Sequence, residues 1–251
     1  MKAVRIHEHG SEEVLVWEEV SLPEVKDDQV LVEIKAAAIN HLDIWVRKGI
    51  PGISLPMIIG SDGAGVVAEV GKEVDKFNIG DEVIINPLLF CGTCSSCLDS
   101  QENQCFSMGI LGETTNGTNC EFIALNQRSL SKKPTNISFE SAASFPLAGQ
   151  TSYQMLINRA MLKKSDIVFI WGASSGVGSF GLQIAKSYDC KVIVTGGSKE
   201  KCEYASKLGA DLSLNHYKDD IVSIVKDYTK GKGVNVIFEH SGFETWSTSM
   251  K

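Results

Sequence analysis

The sequence has no run of apolar residues approaching the roughly 20 needed to cross a bilayer as a helix. It has no surplus of positive charge either: 31 acidic residues outnumber 24 basic ones, for a net charge of −7. Nucleic acid and anionic membranes favour basic surfaces, so neither is expected as the main partner. The opening "MKAVRIHEHG" lacks the hydrophobic core of a signal peptide and reads as a strand, making the cytoplasm the default location. There is no internal repeat and no low-complexity segment. With 43% hydrophobic and 22% charged residues, the chain has the composition of a soluble globular protein of one large domain or two ordinary ones.

Cysteine is not scarce. Seven are present, and in a reducing compartment they point to metal or buried thiols, not disulfides. Four of them, Cys91, Cys94, Cys97 and Cys105, fall within "CGTCSSCLDSQENQC". Such a cluster points to a metal, which either does chemistry or holds a loop in shape; a site closed by four thiolates would leave no position for water or substrate. The N-x-[ST] matches at Asn116 and Asn136 read as chance.

The first half is β-rich. "KAVRIH", "EVLVWEEV", "QVLVEIKAAAIN", "GAGVVAEVGKEV" and "GDEVIINP" are short strand-like runs separated by charged, glycine or proline-containing turns. Near residue 150 the pattern changes. "SDIVFIW" suits a strand buried on both faces, and strands "KVIVT", "LSL" and "VNVIF" then alternate with helical stretches. That alternation predicts a parallel sheet, so the chain reads as a β-rich domain over residues 1–150 and an α/β domain over 151–251. A doubly wound dinucleotide fold has six strands, and about four are present here, with "VNVIF" as an unguarded edge. The expectation is a fragment of a longer protein whose parallel sheet is incomplete.

"WGASSGVGSFGLQIAK" carries Gly176, Gly178 and Gly181 as G-x-G-x-x-G, preceded by Gly172 and Ser175, between a predicted strand and a predicted helix. Glycine lets backbone amides approach a pyrophosphate, which the helix N-terminus also favours, so Gly172, Ser175, Gly176, Val177 and Gly178 are candidate cofactor contacts. The next strand ends at Thr195, itself a candidate cofactor contact, without the Asp or Glu that usually holds an NAD ribose. Ser198, Lys199 and Lys201 instead offer a hydroxyl and two cations to a 2′-phosphate, or else lie on a solvated helix start. NADPH is favoured over NADH.

In their order along the chain, "LPMIIGSDGAGVVAEVG", "GDEVIINP", "CGTCSSC" and "GASSGVG" resemble the medium-chain dehydrogenase/reductase superfamily, which includes zinc-containing alcohol dehydrogenases and zinc-free quinone oxidoreductases. The resemblance covers essentially the whole chain. It implies a GroES-like catalytic domain followed by a Rossmann domain, a homo-oligomer at full length, and one structural zinc on the four clustered cysteines. The family's catalytic zinc is held by cysteine, histidine, glutamate and cysteine; the matching positions here are Asn40, Ser61, Asp62 and Leu147. Cys120, Cys190 and Cys202 lie outside the matching segments. No catalytic zinc is expected.

Without a metal to polarise a carbonyl, the substrate must supply its own electron sink, as quinones and enones do by conjugation. By the same resemblance, Asn40 is the first choice for a polar contact to substrate, and Ser61 and Asp62 line the former metal pocket. His41 either donates to cofactor phosphates or is a structural histidine. Asp43 and Arg47, at i and i+4, are read as a helical ion pair beside the cleft. Thr151 and Tyr153 fall where family members contact cofactor or substrate, and His240 would line the carboxyl edge of the sheet. The resulting expectation is an NAD(P)H-dependent oxidoreductase of quinone-oxidoreductase type. The alternatives are an alcohol dehydrogenase with an atypical metal site and a dinucleotide-binding protein without turnover.

Overall fold

The computed structural model describes all 251 residues, which divide into two compact units, Met1–Leu147 and Ala148–Lys251.

The first unit is built from antiparallel strands. In chain order they are β1 (Lys2–Ile6), β2 (Val16–Glu19), β3 (Gln29–Ala38), β4 (Met57–Ile58), β5 (Asp62–Val70), β6 (Glu82–Ile85), β7 (Leu88–Leu89), β8 (Gly109–Ile110), β9 (Phe122–Asn126) and β10 (Leu130–Lys132). They form sheets ordered β2-β1-β4 and β10-β6-β5-β3-β9, with a small β7-β8 ribbon. The five-stranded sheet supplies Val30, Val32, Val67, Val83, Ile85, Ile123 and Leu125 to one core, the inward half of an alternating pattern. The β3–β5 ladder slips twice, between Leu31 and Val32 and between Ile34 and Ala36. Such bulges bend a strand and strengthen its twist, which is how a sheet curls toward a barrel. Three short helices accompany the strands: α1 (His41–Lys48), α2 (Ser95–Leu98) and α3 (Phe139–Ala143). Helix α4 (Pro146–Tyr153) then continues into a π-helical turn over Gln154–Arg159.

The second unit alternates β11 (Ile167–Ile170), α5 (Gly176–Ser187), β12 (Lys191–Gly196), α6 (Lys199–Lys207), β13 (Leu212–Asn215), α7 (Ile221–Tyr228), β14 (Val236–Phe238) and α8 (Phe243–Ser249). All pairings are parallel, in the order β13-β12-β11-β14. The alternation of side chains along β11 explains why both faces are covered. Val168 and Ile170 join Leu182 and Ala185 of α5 and Ala205 of α6, while Phe169 and Trp171 join Ile193, Leu214 and Ile221 on the α7 side. Strand β14 sits at the sheet's edge, as expected, but it is three residues long: Asn235 lies outside it and accepts the Ile167 amide through its side chain at 2.8 Å. No helix is long and apolar enough to cross a membrane.

Candidate functional site

Three groups of side chains can be built up from their local structure. The first is the glycine-rich turn between β11 and α5. Gly172 takes a left-handed φ of +59°, and a Cβ there would meet nothing within 4 Å, so the outer side of the turn is open. Gly178 is closed in: a Cβ would stand 2.5 Å from the Gly172 carbonyl oxygen. A Cβ on Gly181 would press on the Phe238 ring at 3.2 Å, so this glycine sets how closely α5 approaches β14. Ser175 caps the helix, its Oγ accepting the Gly178 amide at 3.0 Å. The amides of Gly176 and Val177 open the helix, where backbone donors have no intrahelical acceptor. An open cradle at the start of a 12-residue helix fits the pyrophosphate of a dinucleotide.

Around this turn the expected contacts divide. Thr195 is buried and its Oγ1 accepts the Gly172 amide at 3.0 Å, so its side chain shapes the turn and does not face a ligand. His240 places Nε2 2.8 Å from the Trp171 carbonyl oxygen, one residue before Gly172. Ser198 caps α6 by accepting the Lys201 amide at 3.3 Å. Lys199 and Lys201 are exposed beside it, and Lys199 also lies 3.7 Å from Glu203. Thr151 is exposed on α4. The sequence reading did not single out His216 and Tyr217. A Cβ on Gly197 would meet the Tyr217 ring at 3.0 Å and His216 Nε2 at 3.2 Å, so both rings border the end of β12. Only the parallel register, Gly196 opposite Asn215, brings them there. Burial, with help from the Lys201 cation, pushes the His216 pKa down.

The second group is a buried hydrogen-bond cluster in the first unit. Asp62 is 1% exposed. Its Oδ2 accepts from Asn40 Nδ2 at 2.9 Å and its Oδ1 from the Leu147 amide at 2.9 Å. Its own carbonyl oxygen accepts from the buried Thr118 hydroxyl at 2.9 Å. Burial is the main reason its pKa rises to about 6; the two donors oppose the shift and the Asp43 charge adds to it. Asn40 is half-buried at the start of α1, and its amide donates to Asp43 Oδ2 at 2.7 Å. Asp43 is buried as well, which raises its pKa. The expected Asp43–Arg47 ion pair is therefore replaced. Asp43 turns back to cap its own helix, and Arg47 lies 3.6 Å from Glu12 instead. His41 is exposed at the first position of α1, edge-on to Trp45 with 4.8 Å between ring centroids. Asn116 and Thr118, met in the sequence as a chance N-x-[ST] match, are structural: the Asn116 Oδ1 accepts the Ile58 amide at 3.0 Å, and Thr118 holds Asp62.

The four positions that would carry a catalytic zinc do come together in part, but their chemistry does not fit one. Both Asp62 oxygens are already accepting hydrogen bonds, Leu147 offers only a backbone N–H, Asn40 turns its amide nitrogen toward Asp62, and Ser61 is fully buried.

The third group does fit a metal. The sulfurs of Cys91, Cys94, Cys97 and Cys105 all lie within 4.8 Å of one another, with separations of 3.5 Å (Cys94–Cys97), 3.6 Å (Cys91–Cys105) and 3.9 Å (Cys91–Cys97). A zinc–sulfur distance of about 2.3 Å in a tetrahedron demands sulfur separations of about 3.8 Å. The amides of Thr93 and Cys94 point at Cys91 Sγ from 3.5 and 3.3 Å, and that of Ser107 at Cys105 Sγ from 3.4 Å. Such donors favour thiolate.

Comparison with known proteins follows the same division. The family described as "Alcohol dehydrogenase GroES-like domain" matches residues 26–135, and "Zinc-binding dehydrogenase" matches residues 176–251. An NAD-dependent alcohol dehydrogenase of Sulfurisphaera tokodaii is 31% identical over 97% of this chain and 72% of its own length. A crystal structure of an NAD-dependent alcohol dehydrogenase superposes with a TM-score of 0.95 at 42% identity, over 98% of this chain and 72% of that one. The structure of Escherichia coli quinone oxidoreductase complexed with NADPH superposes with a TM-score of 0.83 at 29% identity, over all of this chain and 69% of that one.

Proposed function

This chain belongs to the medium-chain dehydrogenase/reductase superfamily, whose matched relatives are oxidoreductases, and from that membership we propose that it is an NADPH-dependent reductase of conjugated carbonyls such as quinones and enones. One observation carries the substrate class. Where the family's metal-dependent members need a ligand set, Asp62 has both carboxylate oxygens engaged by Asn40 and the Leu147 amide. With no Lewis acid to polarise an isolated carbonyl, the acceptor must delocalise the incoming charge itself.

The nicotinamide, when bound, supplies the hydride. The residues of this chain bind and orient. Gly172, Ser175, Gly176, Val177 and Gly178 cradle the pyrophosphate; Ser198, Lys199 and Lys201 meet the 2′-phosphate; Tyr217 and His216 border the same strand end. Thr195 and His240 hold the two polar groups of the peptide unit that joins Trp171 to Gly172, its N–H and its carbonyl oxygen. Asn40 keeps a half-buried carboxamide whose second N–H donates to the substrate oxygen as it gains charge in the enolate or hydroquinone. The carbon that completes reduction of an enone takes its proton from water. Cys91, Cys94, Cys97 and Cys105 would hold a zinc that fixes a loop and takes no part in the reaction.

The likeness to NAD-dependent alcohol dehydrogenases supports a second reading, an alcohol dehydrogenase with an atypical metal site. Metal analysis together with NADPH oxidation separates the two. About one zinc per chain, with turnover of quinones or enones but not of saturated aldehydes, is the expected result. A second tightly held zinc with NAD-dependent alcohol oxidation would replace the first reading with the second.

A further inference from the structure

Asn40 and Asp62 differ in the one respect that separates contact from support. The Asn40 side chain is half-buried and can reach a ligand; Asp62 is 1% exposed and cannot. Yet they share a hydrogen bond of 2.9 Å, and a carboxylate can only accept. A carboxamide can in general rotate by half a turn and exchange oxygen for nitrogen, and here the capping box of α1, which faces the Asn40 side chain with the Asp43 amide, opposes that on one side. Beside Asp62 it cannot, because the flipped form would set its oxygen against a carboxylate oxygen.

We infer that Asp62 is a positioning residue that fixes the Asn40 carboxamide with its nitrogen inward, leaving one N–H to be offered to the substrate oxygen. This rests on the reading of Asn40 as the substrate contact. Asp62 is itself immobilised from three sides. Its Oδ1 takes the Leu147 amide, its carbonyl takes the Thr118 hydroxyl, and its backbone pairs with Ala38, two residues before Asn40. The distance between the two side chains is therefore set by the sheet and not by either side chain. A second buried carboxylate, Asp43, holds the Asn40 amide nitrogen of the backbone at 2.7 Å, so both ends of the residue are tethered. The pair thus selects for ligands that present an acceptor, such as a carbonyl or enolate oxygen, over ligands that present only a donor.

The isosteric variant Asp62→Asn tests this. Asn at 62 can still accept the Leu147 amide through its oxygen, and it then turns an NH2 group toward Asn40 and inverts that carboxamide. Expected are a fall in kcat of about 100-fold with a quinone or enone, unchanged NADPH affinity, and a displaced Asn40 side-chain amide resonance in 15N-labelled protein. The double variant Asn40→Asp with Asp62→Asn rebuilds the hydrogen bond with donor and acceptor exchanged. It should regain thermal stability but not kcat. A kcat for Asp62→Asn within about twofold of the parent, or full recovery in the exchanged pair, would overturn the inference. If the parent protein turns over no conjugated carbonyl, the proposed reaction fails. The Asn40 resonance then decides the orientation on its own: displaced in Asp62→Asn it supports the inference, and unmoved it overturns it.

Discussion

The Thr195 hydroxyl, near the end of one parallel strand, accepts the backbone amide of Gly172, two residues past the end of its neighbour, across 3.0 Å. The bond pins a left-handed residue that has no other support from a side chain of its own. Thr195→Val keeps the shape and removes the acceptor, leaving a half-buried amide without this partner. A loss of about 1 to 2 kcal/mol in urea denaturation is expected, together with weaker NADPH binding by fluorescence titration. Unchanged NADPH affinity would show that the turn holds its conformation without Thr195.

Ser198→Asp should change cofactor choice without changing the fold. Aspartate caps a helix as well as serine does, so the bond to the Lys201 amide survives. The added negative charge repels a 2′-phosphate and suits a ribose hydroxyl. The ratio of NADPH to NADH affinity should fall by at least about tenfold, with a melting temperature close to the parent's.

Zinc should follow the four thiols as a unit. Cys97→Ser is expected to reduce bound zinc from about one per chain to near none and to lower the melting temperature, with the loop from Cys91 to Cys105 becoming open to proteolysis. Cys202→Ser, outside the cluster, should retain the metal. Zinc persisting in Cys97→Ser would move the metal elsewhere.

Gly178→Ala and Gly176→Ala should part company. The first drives a methyl to 2.5 Å from a carbonyl oxygen, which no side-chain rotation can relieve, so a destabilisation of about 1 to 3 kcal/mol is expected. The second meets only the Ala148 Cβ at 3.4 Å, so the fold should persist while the methyl obstructs the pyrophosphate. Equal stability losses in the two variants would contradict this division.

Asp62 makes stability depend on pH in a direction opposite to that of most carboxylates. Its pKa is raised from 3.8 to about 6, chiefly by burial, so the folded chain holds this proton more tightly than the unfolded one. Its contribution is fully present below about pH 4 and is lost as pH rises through about 6, a change of about 3 kcal/mol. Asp43, raised for the same reason, acts in the same sense. Between about pH 4.5 and pH 7.5 the parent should therefore lose stability relative to Asp62→Asn. A difference between the two proteins that stays flat with pH would contradict the assignment.

Much of the architecture was legible because it depends on local pattern. The continuous apolar run before Gly172 gave a strand buried on both faces, and the cysteine spacing gave sulfurs close enough for one metal. What escaped was settled by competition between distant partners. Asp43 stands at the right spacing for Arg47, but the Asn40 amide three residues upstream is nearer, and Glu12 arrives from another part of the chain. Thr195 looked like a ligand contact because the strand end usually is one, yet a burial of 99% follows from the register of its neighbours. Thr118 and Asn116 carried a sequence motif for a different purpose and gained their role only when the segment folded against residues 58 to 62. Helix and strand boundaries are local; hydrogen-bond partners more than 50 positions apart are not.

Trp171, the first residue after the strand that leads into the glycine turn, donates its indole N–H to Ser249 at 2.8 Å, and Ser249 in turn donates to Glu239 at 2.7 Å. Of the four tryptophans, Trp17, Trp45 and Trp246 are each more than half exposed, whereas Trp171 is 5% exposed. Its emission should lie to the blue of the others and escape acrylamide quenching. The molecule therefore carries its own optical gauge, one residue from Gly172 and tied to the last helix, that reports loosening of the parallel sheet around it.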